Sequence, residues 1–297
     1  MDTKNLNLID LFNKFGSDTA CREYLEQLRW PDGVRCPRCD NASVSRIAAR
    51  NQFDCNACRY QFSATSGTVF HDTHLPLSKW FATAYLMIEG KKGISALEVK
   101  RSLRVAYKTA WYLCHRIRAA MKDAYPMPLK GRVEIDETWH GGKVRGKGRG
   151  YTGNKSIIVG AIQRRGRIVL QVVKSRKRED LHAFIKQNVH DETEVIYTDD
   201  WAAYGGIADH NTRHEVVNHS AYEYVRGDAH TNGIENVWGL FKRAVVGTFH
   251  HMSVKHLDSY LDELEWRFNN RENPYLFRDT IKKLIESERV EFSKLTA

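Results

Sequence analysis

Apolar positions along this chain follow two rhythms, and the change from one to the other divides it. Cys21, Tyr24, Leu25 and Leu28 recur every three or four residues, after a shorter apolar group at Leu6, Leu8, Ile9, Leu11 and Phe12. That spacing predicts a small helical lead-in. From Leu75 to Met121 the helical rhythm returns: Trp80, Phe81, Ala84, Tyr85 and Ile88 form one stripe, which Gly90 and Gly93 end. Ser95 is placed to cap a second helix through Leu97 and Val99 to Leu103, and Ala106 to Met121 form a third, with Tyr107, Ala110, Trp111, Cys114 and Ile117 on its apolar face. Pro126, Pro128 and Gly131 then mark a boundary. Beyond it come short β-leaning runs: Arg132 to Trp139, Ser156 to Ile162 and Arg167 to Val173, the last two joined by a turn at Gln163-Arg164-Arg165-Gly166. A helix carrying Leu181, Phe184 and Ile185 precedes a buried strand, Val195-Ile196-Tyr197-Thr198. A helix follows around Ile234 to Lys242. Ser253 then caps a long helix bearing Leu257, Leu261, Leu264 and Phe268, ending at Asn273-Pro274, and an amphipathic tail carries Leu276, Ile281, Leu284 and Ile285. Four regions result: 1–73, 74–128, 129–275 and a terminal helix over 276–297. No internal repeat or low-complexity segment is present.

The cysteines give the first region its chemistry. Cys36-Pro37-Arg38-Cys39 and Cys55-Asn56-Ala57-Cys58 are two C-x-x-C pairs separated by the 15 residues 40–54. Thiolates two apart hold one tetrahedral ion from a tight knuckle, so the spacing predicts a zinc ribbon, with Phe53, Tyr60 and Phe62 on its strands. The alternative, a disulfide framework, lacks the secretory signal that would accompany it. Cys21 and Cys114 are isolated and read as core thiols.

Charge changes the picture next. The 297 residues hold 46 Lys and Arg against 36 Asp and Glu, a net charge of +10, which favours a polyanionic partner over ordinary solubility charge. The basic residues cluster where a nucleic acid would be met. Arg35, Arg38, Arg46, Arg50 and Arg59 decorate the ribbon, and Lys143, Arg145, Lys147 and Arg149 punctuate a Gly-rich loop suited to phosphate approach or to a solvated excursion. The two helices joined by a tight turn resemble a helix-turn-helix whose second member presents Lys108, His115, Arg116 and Arg118, although a plain helical hairpin has the same pattern. No apolar run reaches the roughly 18 residues a membrane span needs, so a soluble cytoplasmic protein is expected.

Three carboxylates stand out against this basic background. Asp136 lies on the first β-run after the boundary, Asp199 ends the Val195 strand, and Glu235 opens a helix after the 35 residues 200–234, with Lys242 seven residues further on. At 3.6 residues per turn, Glu235 and Lys242 look the same way, about 10 Å apart along the axis. Carboxylates from separate elements suit Mg²⁺ or Mn²⁺, which leave positions open for substrate phosphate. Each acid also has a plainer reading: Asn232-x-x-Glu235 is a helix capping box, Asp200 is placed to cap a turn, and Asp136 fits a solvent-facing strand end. Asp199 and Asp200 face opposite sides of a strand, so only one of them reaches a shared site.

Asp136, Asp199 and Glu235 with Lys242 in phase resemble the DDE motif of insertion-sequence transposases and retroviral integrases. Glu-Ile-Asp-Glu-Thr at 134–138, Tyr-Thr-Asp at 197–199 and His-Thr-Asn-Gly-Ile-Glu-Asn at 230–236 are similar to bacterial insertion-sequence transposases carrying an N-terminal zinc ribbon. The resemblance spans roughly residues 20 to 275. It implies an α/β fold with a ribonuclease H-like core, a mixed sheet with flanking helices, Asp136 on its first strand and Asp199 at the end of its fourth. It also implies Asp136, Asp199 and Glu235 as catalytic ligands of Mg²⁺ (or Mn²⁺), structural Zn²⁺ on Cys36, Cys39, Cys55 and Cys58, and Lys242 and Arg243 on phosphate. His219, Tyr224, Arg226 and His230 are placed to line the DNA path, with packing the alternative for His219 and Tyr224. The implied partner is double-stranded DNA, element ends and target, engaged by a homodimer or higher multimer. A different class stays open: a zinc-ribbon DNA-binding regulator whose core is catalytically dead.

Overall fold

The computed structural model describes residues 3–123, 126–142, 153, 155–208, 212–217 and 225–296. It forms two compact units, Met1–Lys122 with Asn270–Ala297, and Asp123–Asn269. The last helices therefore return to the first unit and do not stand as a separate segment.

In the first unit, α1 (Leu8–Phe15) and α2 (Asp18–Arg29) are capped by Asn7 and Ser17, whose side chains accept from the amides of Asp10 and Ala20. Helix α3 (Leu77–Glu89) is buried on nearly every side, the pattern of a central helix. Around it, Phe15, Tyr24, Phe81 and Phe277 of α1, α2, α3 and α9 (Leu276–Glu286) make an aromatic cluster with ring centroids 4.9 to 6.1 Å apart. Helices α4 (Ala96–Leu103) and α5 (Tyr107–Met121) form the expected helical pair, and the Ser95 hydroxyl accepts from the Glu98 amide at 3.2 Å. A short α10 (Phe292–Thr296) completes the unit. The ribbon is a three-stranded antiparallel sheet of β1 (Val44–Ile47), β2 (Gln52–Cys55) and β3 (Gln61–Phe62), with Trp30 edge-on to Phe53 and Phe62. Burial of the Cys21 thiol pushes its pKa up to about 12, which makes it the inert core thiol its isolation suggested.

The second unit is a five-stranded sheet flanked by helices. Its strands are β4 (Arg132–His140), β5 (Ser156–Gln163), β6 (Ile168–Val173), β7 (Val195–Asp199) and β8 (Arg213–Val217), ordered β6-β5-β4-β7-β8. The first three are antiparallel; β7 and β8 add in parallel. Third, second, first, fourth, fifth is the ribonuclease H-like order, with Asp136 on the first strand and Asp199 at the end of the fourth. Strand β8 has no counterpart among the sequence expectations, because Arg213-His214-Glu215 carries little apolar signal at a sheet edge.

Both faces of the sheet are covered. Val133, Ile135, Val159, Ala161 and Ile196 meet Leu181 and Phe184 of α6 (Arg178–Asn188) on one side. Ile158, Ile162, Ile168 and Leu170 meet Ile234, Val237, Trp238 and Phe241 of α7 (Asn232–Ala244) and Leu257, Leu261 and Leu264 of α8 (Leu257–Asn269) on the other. That two-sided burial makes β5 an almost unbroken apolar run. Along the outer edge of β6, Asn269 pairs with both backbone groups of Ile168 (2.7 and 3.0 Å) and Glu265 accepts from the Leu170 amide. Those contacts cap an edge that would otherwise offer a template for strand pairing. Among the described residues no helix is long and apolar enough to cross a membrane.

Candidate active site and metal centres

Strand register builds the acidic site. Glu134 of β4 stands opposite Tyr197 of β7. Two residues further along each strand come Asp136 and Asp199, on the same face because side chains alternate. The two strands are parallel, so Asp199 at the C-terminal end of β7 comes level with Asp136 in the middle of the longer β4. Carboxylate oxygens of Asp136, Glu137 and Asp199 all lie within 4.8 Å of one another.

Each acid is held by a different group. The Trp238 indole N–H donates to Asp136 Oδ2 at 3.0 Å, and the Trp201 amide donates to Asp199 Oδ1 at 3.2 Å. Glu137 accepts from Arg176 Nε and from the Tyr204 hydroxyl, both at 2.9 Å. The Arg176 guanidinium lies 4.4 Å from the centroid of the Trp201 ring, so one cation braces two sides of the cluster. Burial pushes the Asp136 carboxyl up to about 7, with the charges of Glu137 and Asp199 adding to it. Asp199 is raised by burial first and the Glu137 charge second. Acids that repel one another in a partly dry recess gain most from a divalent cation, and oxygen donors at this spacing fit Mg²⁺ or Mn²⁺.

Glu235 stands apart from this cluster. It is exposed on the first turn of α7, where its Oε1 accepts from the Thr231 hydroxyl at 2.8 Å. The helix begins one residue earlier than a cap at Asn232 requires: Thr231 is the N-cap and Asn232 the first helical residue. Glu235 precedes Trp238, the indole that touches Asp136, by three residues, about 4.5 Å of helix rise. Lys242 and Arg243 are exposed further along α7, and Lys242 lines a cavity of about 520 Å³ with Trp139, Phe241, Val246 and His250.

The remaining expected DNA contacts divide sharply. Lys108 is exposed at the start of α5, its Nζ 4.8 Å from the Phe292 ring centroid. Arg116 must be corrected: it is 5% exposed, donates to the carbonyls of Val69 and His71, and sits over Trp80. His115 and Arg118 are buried as well. Helical periodicity put these three side chains on a polar face, but α5 is packed on more than one side and turns them inward. Lys143, Arg145, Lys147, His219 and Tyr224 lie outside the described residues, whereas Arg226 is exposed and donates to the Val216 carbonyl at 3.0 Å.

Sequence reasoning passed over Glu137, Arg176, Tyr204, Trp201 and Trp238 as site residues. Glu137 was visible as the neighbour of Asp136 in the 134–138 motif, and Trp238 as the aromatic one turn from Glu235. Arg176 and Tyr204 gave no local signal.

The ribbon brings four sulfurs together. Cys36 and Cys58 Sγ are 3.6 Å apart, as are those of Cys39 and Cys55, and all four lie within 4.8 Å. Four ligands about 2.3 Å from a tetrahedral Zn²⁺ stand roughly 3.8 Å from one another, so the set fits. Backbone amides of Arg38 and Cys58 point at the sulfurs of Cys36 (3.4 Å) and Cys55 (3.5 Å), and the Cys58 amide leads in lowering the Cys55 thiol to about 7.

Both units have counterparts among known protein families. Residues 128–269 match the ISXO2-like transposase domain, and residues 16–61 match the transposase zinc-ribbon domain. A Halobacterium salinarum protein described as an uncharacterized protein in transposable element ISH50 is 30% identical over 249 residues, covering 77% of this chain and 83% of that protein. An uncharacterized transposase-like protein of Haemophilus influenzae is 32% identical over 101 residues, 34% of this chain and 80% of its own length. Among solved structures, a chain of the simian T-cell lymphotropic virus intasome bound to PP2A regulatory subunit B56 gamma is 16% identical, with 71% of this chain and 74% of that one covered and a TM-score of 0.33. A chain of the Mos1 strand transfer complex is 10% identical, with 69% and 75% covered and a TM-score of 0.30.

Proposed function

Because this chain belongs to the ISXO2-like family of insertion-sequence transposases, in which a zinc ribbon precedes the transposase domain, we propose that it binds the terminal inverted repeats of its element and cuts and rejoins DNA there. The carrying observation is the meeting of Asp136, in the middle of β4, with Asp199, at the end of the adjacent parallel β7, with Glu137 beside them. Divalent ions held there by Asp136, Asp199 and Glu137 would activate the attacking oxygen and stabilise the leaving one.

The side chains supply the rest. Trp238 and the Trp201 amide hold Asp136 and Asp199 in one orientation before substrate arrives. Arg176 and Tyr204 hold Glu137 so that it joins the recess without swinging into the substrate path. Lys242 and Arg243 meet phosphate from the exposed side of α7. Lys108, with the exposed Lys100, Arg101 and Arg104 of the α4–α5 pair, approaches the element end, and Glu235 completes the acid set by turning from Thr231 toward Asp136 when substrate is bound. Water attacks the phosphodiester at the element end in line and displaces its 3′-oxygen, and the freed 3′-hydroxyl then attacks a target phosphodiester, joining to its phosphorus and expelling the 3′-oxygen of the target strand. Two ends are needed in one assembly, so the working form is a dimer or higher multimer.

A second reading draws on Glu235 lying outside the acid cluster: a DNA-binding regulator with an inactive core. Strand transfer with purified protein, zinc retained, and labelled terminal-repeat duplexes separates the two. Mg²⁺-dependent joined products that vanish with Asp136→Asn and with Glu235→Ala support the transposase; tight end binding without nicking under Mg²⁺ or Mn²⁺ refutes it.

A further inference from the structure

Two residues of the motifs around the acids have no part in the chemistry above: Glu134 and Gly233. Glu134 lies two residues before Asp136, on the same face of β4, and is 1% exposed. Its Oε2 accepts from the backbone amides of Gly233 (2.6 Å) and Ile234 (3.2 Å), two of the amides that a helix start leaves without internal partners. Its Oε1 accepts from Arg164 Nε at 2.8 Å and faces His230 Nδ1 at 3.3 Å. Arg164 in turn donates to the carbonyls of Asp228 (2.6 Å) and His230 (3.1 Å), which lead into α7, and stacks on Tyr197 of β7 at 4.0 Å.

The carboxylate thus fastens the start of α7 to the strand that bears Asp136. A second fastening lies further on, where Trp238 donates to Asp136 itself at 3.0 Å. The spacings agree: two strand residues advance about 6.6 Å, and the four helix residues from Ile234 to Trp238 advance about 6 Å. Glu235 falls between the two fastenings. Gly233 makes the first one possible, because a Cβ there would lie 2.7 Å from Glu134 Oε2.

We infer that Glu134 is a positioning residue for the strand-transfer reaction: by capping α7 from within the sheet, with Gly233 as its receiving site, it sets where Glu235 stands relative to Asp136 and Asp199. This rests on the transposase reading above. Glu134 touches neither substrate nor the acid cluster; it acts through the helix.

Two measurements test it, one of them independent of activity. In denaturant unfolding, Gly233→Ala lowers the midpoint of the otherwise native protein, because its methyl meets the Glu134 carboxylate. In a Glu134→Ala background the same substitution leaves the midpoint unchanged or raises it, since alanine is the better helix former once the obstacle is gone. Equal shifts in the two backgrounds overturn the clamp. In single-turnover cleavage of terminal-repeat duplexes, at a temperature where both proteins are fully folded, Glu134→Ala slows the chemical step about ten- to a hundred-fold, the scale of a misplaced catalytic group, with end-DNA affinity unchanged. Glu134→Gln, which keeps one oxygen for the Gly233 amide, recovers part of that rate. A wild-type rate for Glu134→Ala, or a deficit that Glu134→Gln leaves wholly uncorrected, overturns the positioning role. If the native protein itself does not cleave, the transposase reading fails, and with it the catalytic consequence, while the midpoint cycle still decides whether the clamp exists.

Discussion

Substitution of Gly160 by alanine tests whether the acid site is organised by packing. Gly160 is the cross-strand partner of Asp136, and the Trp238 ring lies over it. A Cβ at this position would stand 2.6 and 2.7 Å from two indole carbons and 2.8 Å from Leu170 Cδ2, where ordinary contact begins at 3.4 Å. The indole must therefore retreat by roughly 0.8 Å, and Trp238 is 4% exposed with Leu170 at 7%, so neither has open space to enter. A retreat of that size takes the 3.0 Å bond from the indole to Asp136 beyond hydrogen-bonding range. Overpacking costs about 1–3 kcal/mol, and a lost hydrogen bond to a charged group about 1.5–3 kcal/mol. Relaxation offsets part of that sum, leaving a destabilisation of about 2–4 kcal/mol, or a fall of about 6–12 °C in the midpoint of a unit this size. Urea unfolding followed by tryptophan fluorescence measures it, and divalent-ion affinity should weaken in parallel because Asp136 loses its orienting donor. A Gly160→Ala protein within about 0.5 kcal/mol of the original, with unchanged fluorescence, would refute the packing argument.

Three further outcomes follow from the same geometry. Asp136 has its folded pKa raised from 3.8 to about 7, so the metal-free protein has this contribution in full below 3.8 and loses it as pH rises through about 7; a divalent ion favours the ionised form. The thermal stabilisation given by Mn²⁺ should thus be larger at pH 8 than at pH 5.5 and lose that dependence in Asp136→Asn; equal increments at both pH values would contradict it. Cys39→Ser should remove the stoichiometric zinc and unfold the ribbon, seen as loss of bound metal and of protease resistance around residues 36–58; full zinc retention would show that the four sulfurs are not the site. Arg116→Ala should destabilise the first unit by about 2–4 kcal/mol through its abandoned carbonyls, whereas Lys108→Ala should leave stability within about 0.5 kcal/mol and weaken DNA binding with a shallower salt dependence. Calorimetry and salt-titrated binding separate the two, and the reverse pattern would restore Arg116 as a DNA contact.

Local chemistry in the chain was enough to establish much of this protein. Four cysteines at C-x-x-C spacing close one tetrahedral site almost regardless of context, and the glycine-broken helical stripes of α3 to α5 form as their periodicity dictates. The switch to short β-runs after Gly131 marks the start of the sheet because both rhythms are set by neighbouring residues alone. Asp136 and Asp199 were identifiable as strand-borne acids for the same reason.

Their meeting with Glu137 was decided by the pairing of β4 with β7, and the parallel pairing of those strands is a long-range choice no local window contains. The same holds for Arg116, whose charge reads as surface until α5 is packed against the Val69–His71 backbone. Glu134 is the clearest case. In sequence it is an acid beside a catalytic-type acid; in the fold it is a buried cap for a helix 99 residues away from it, at Gly233. Periodicity and ligand spacing act through bonded neighbours and so are written in the chain, whereas burial, cross-strand partners and helix caps supplied from a distance exist only once the sheet has closed around them.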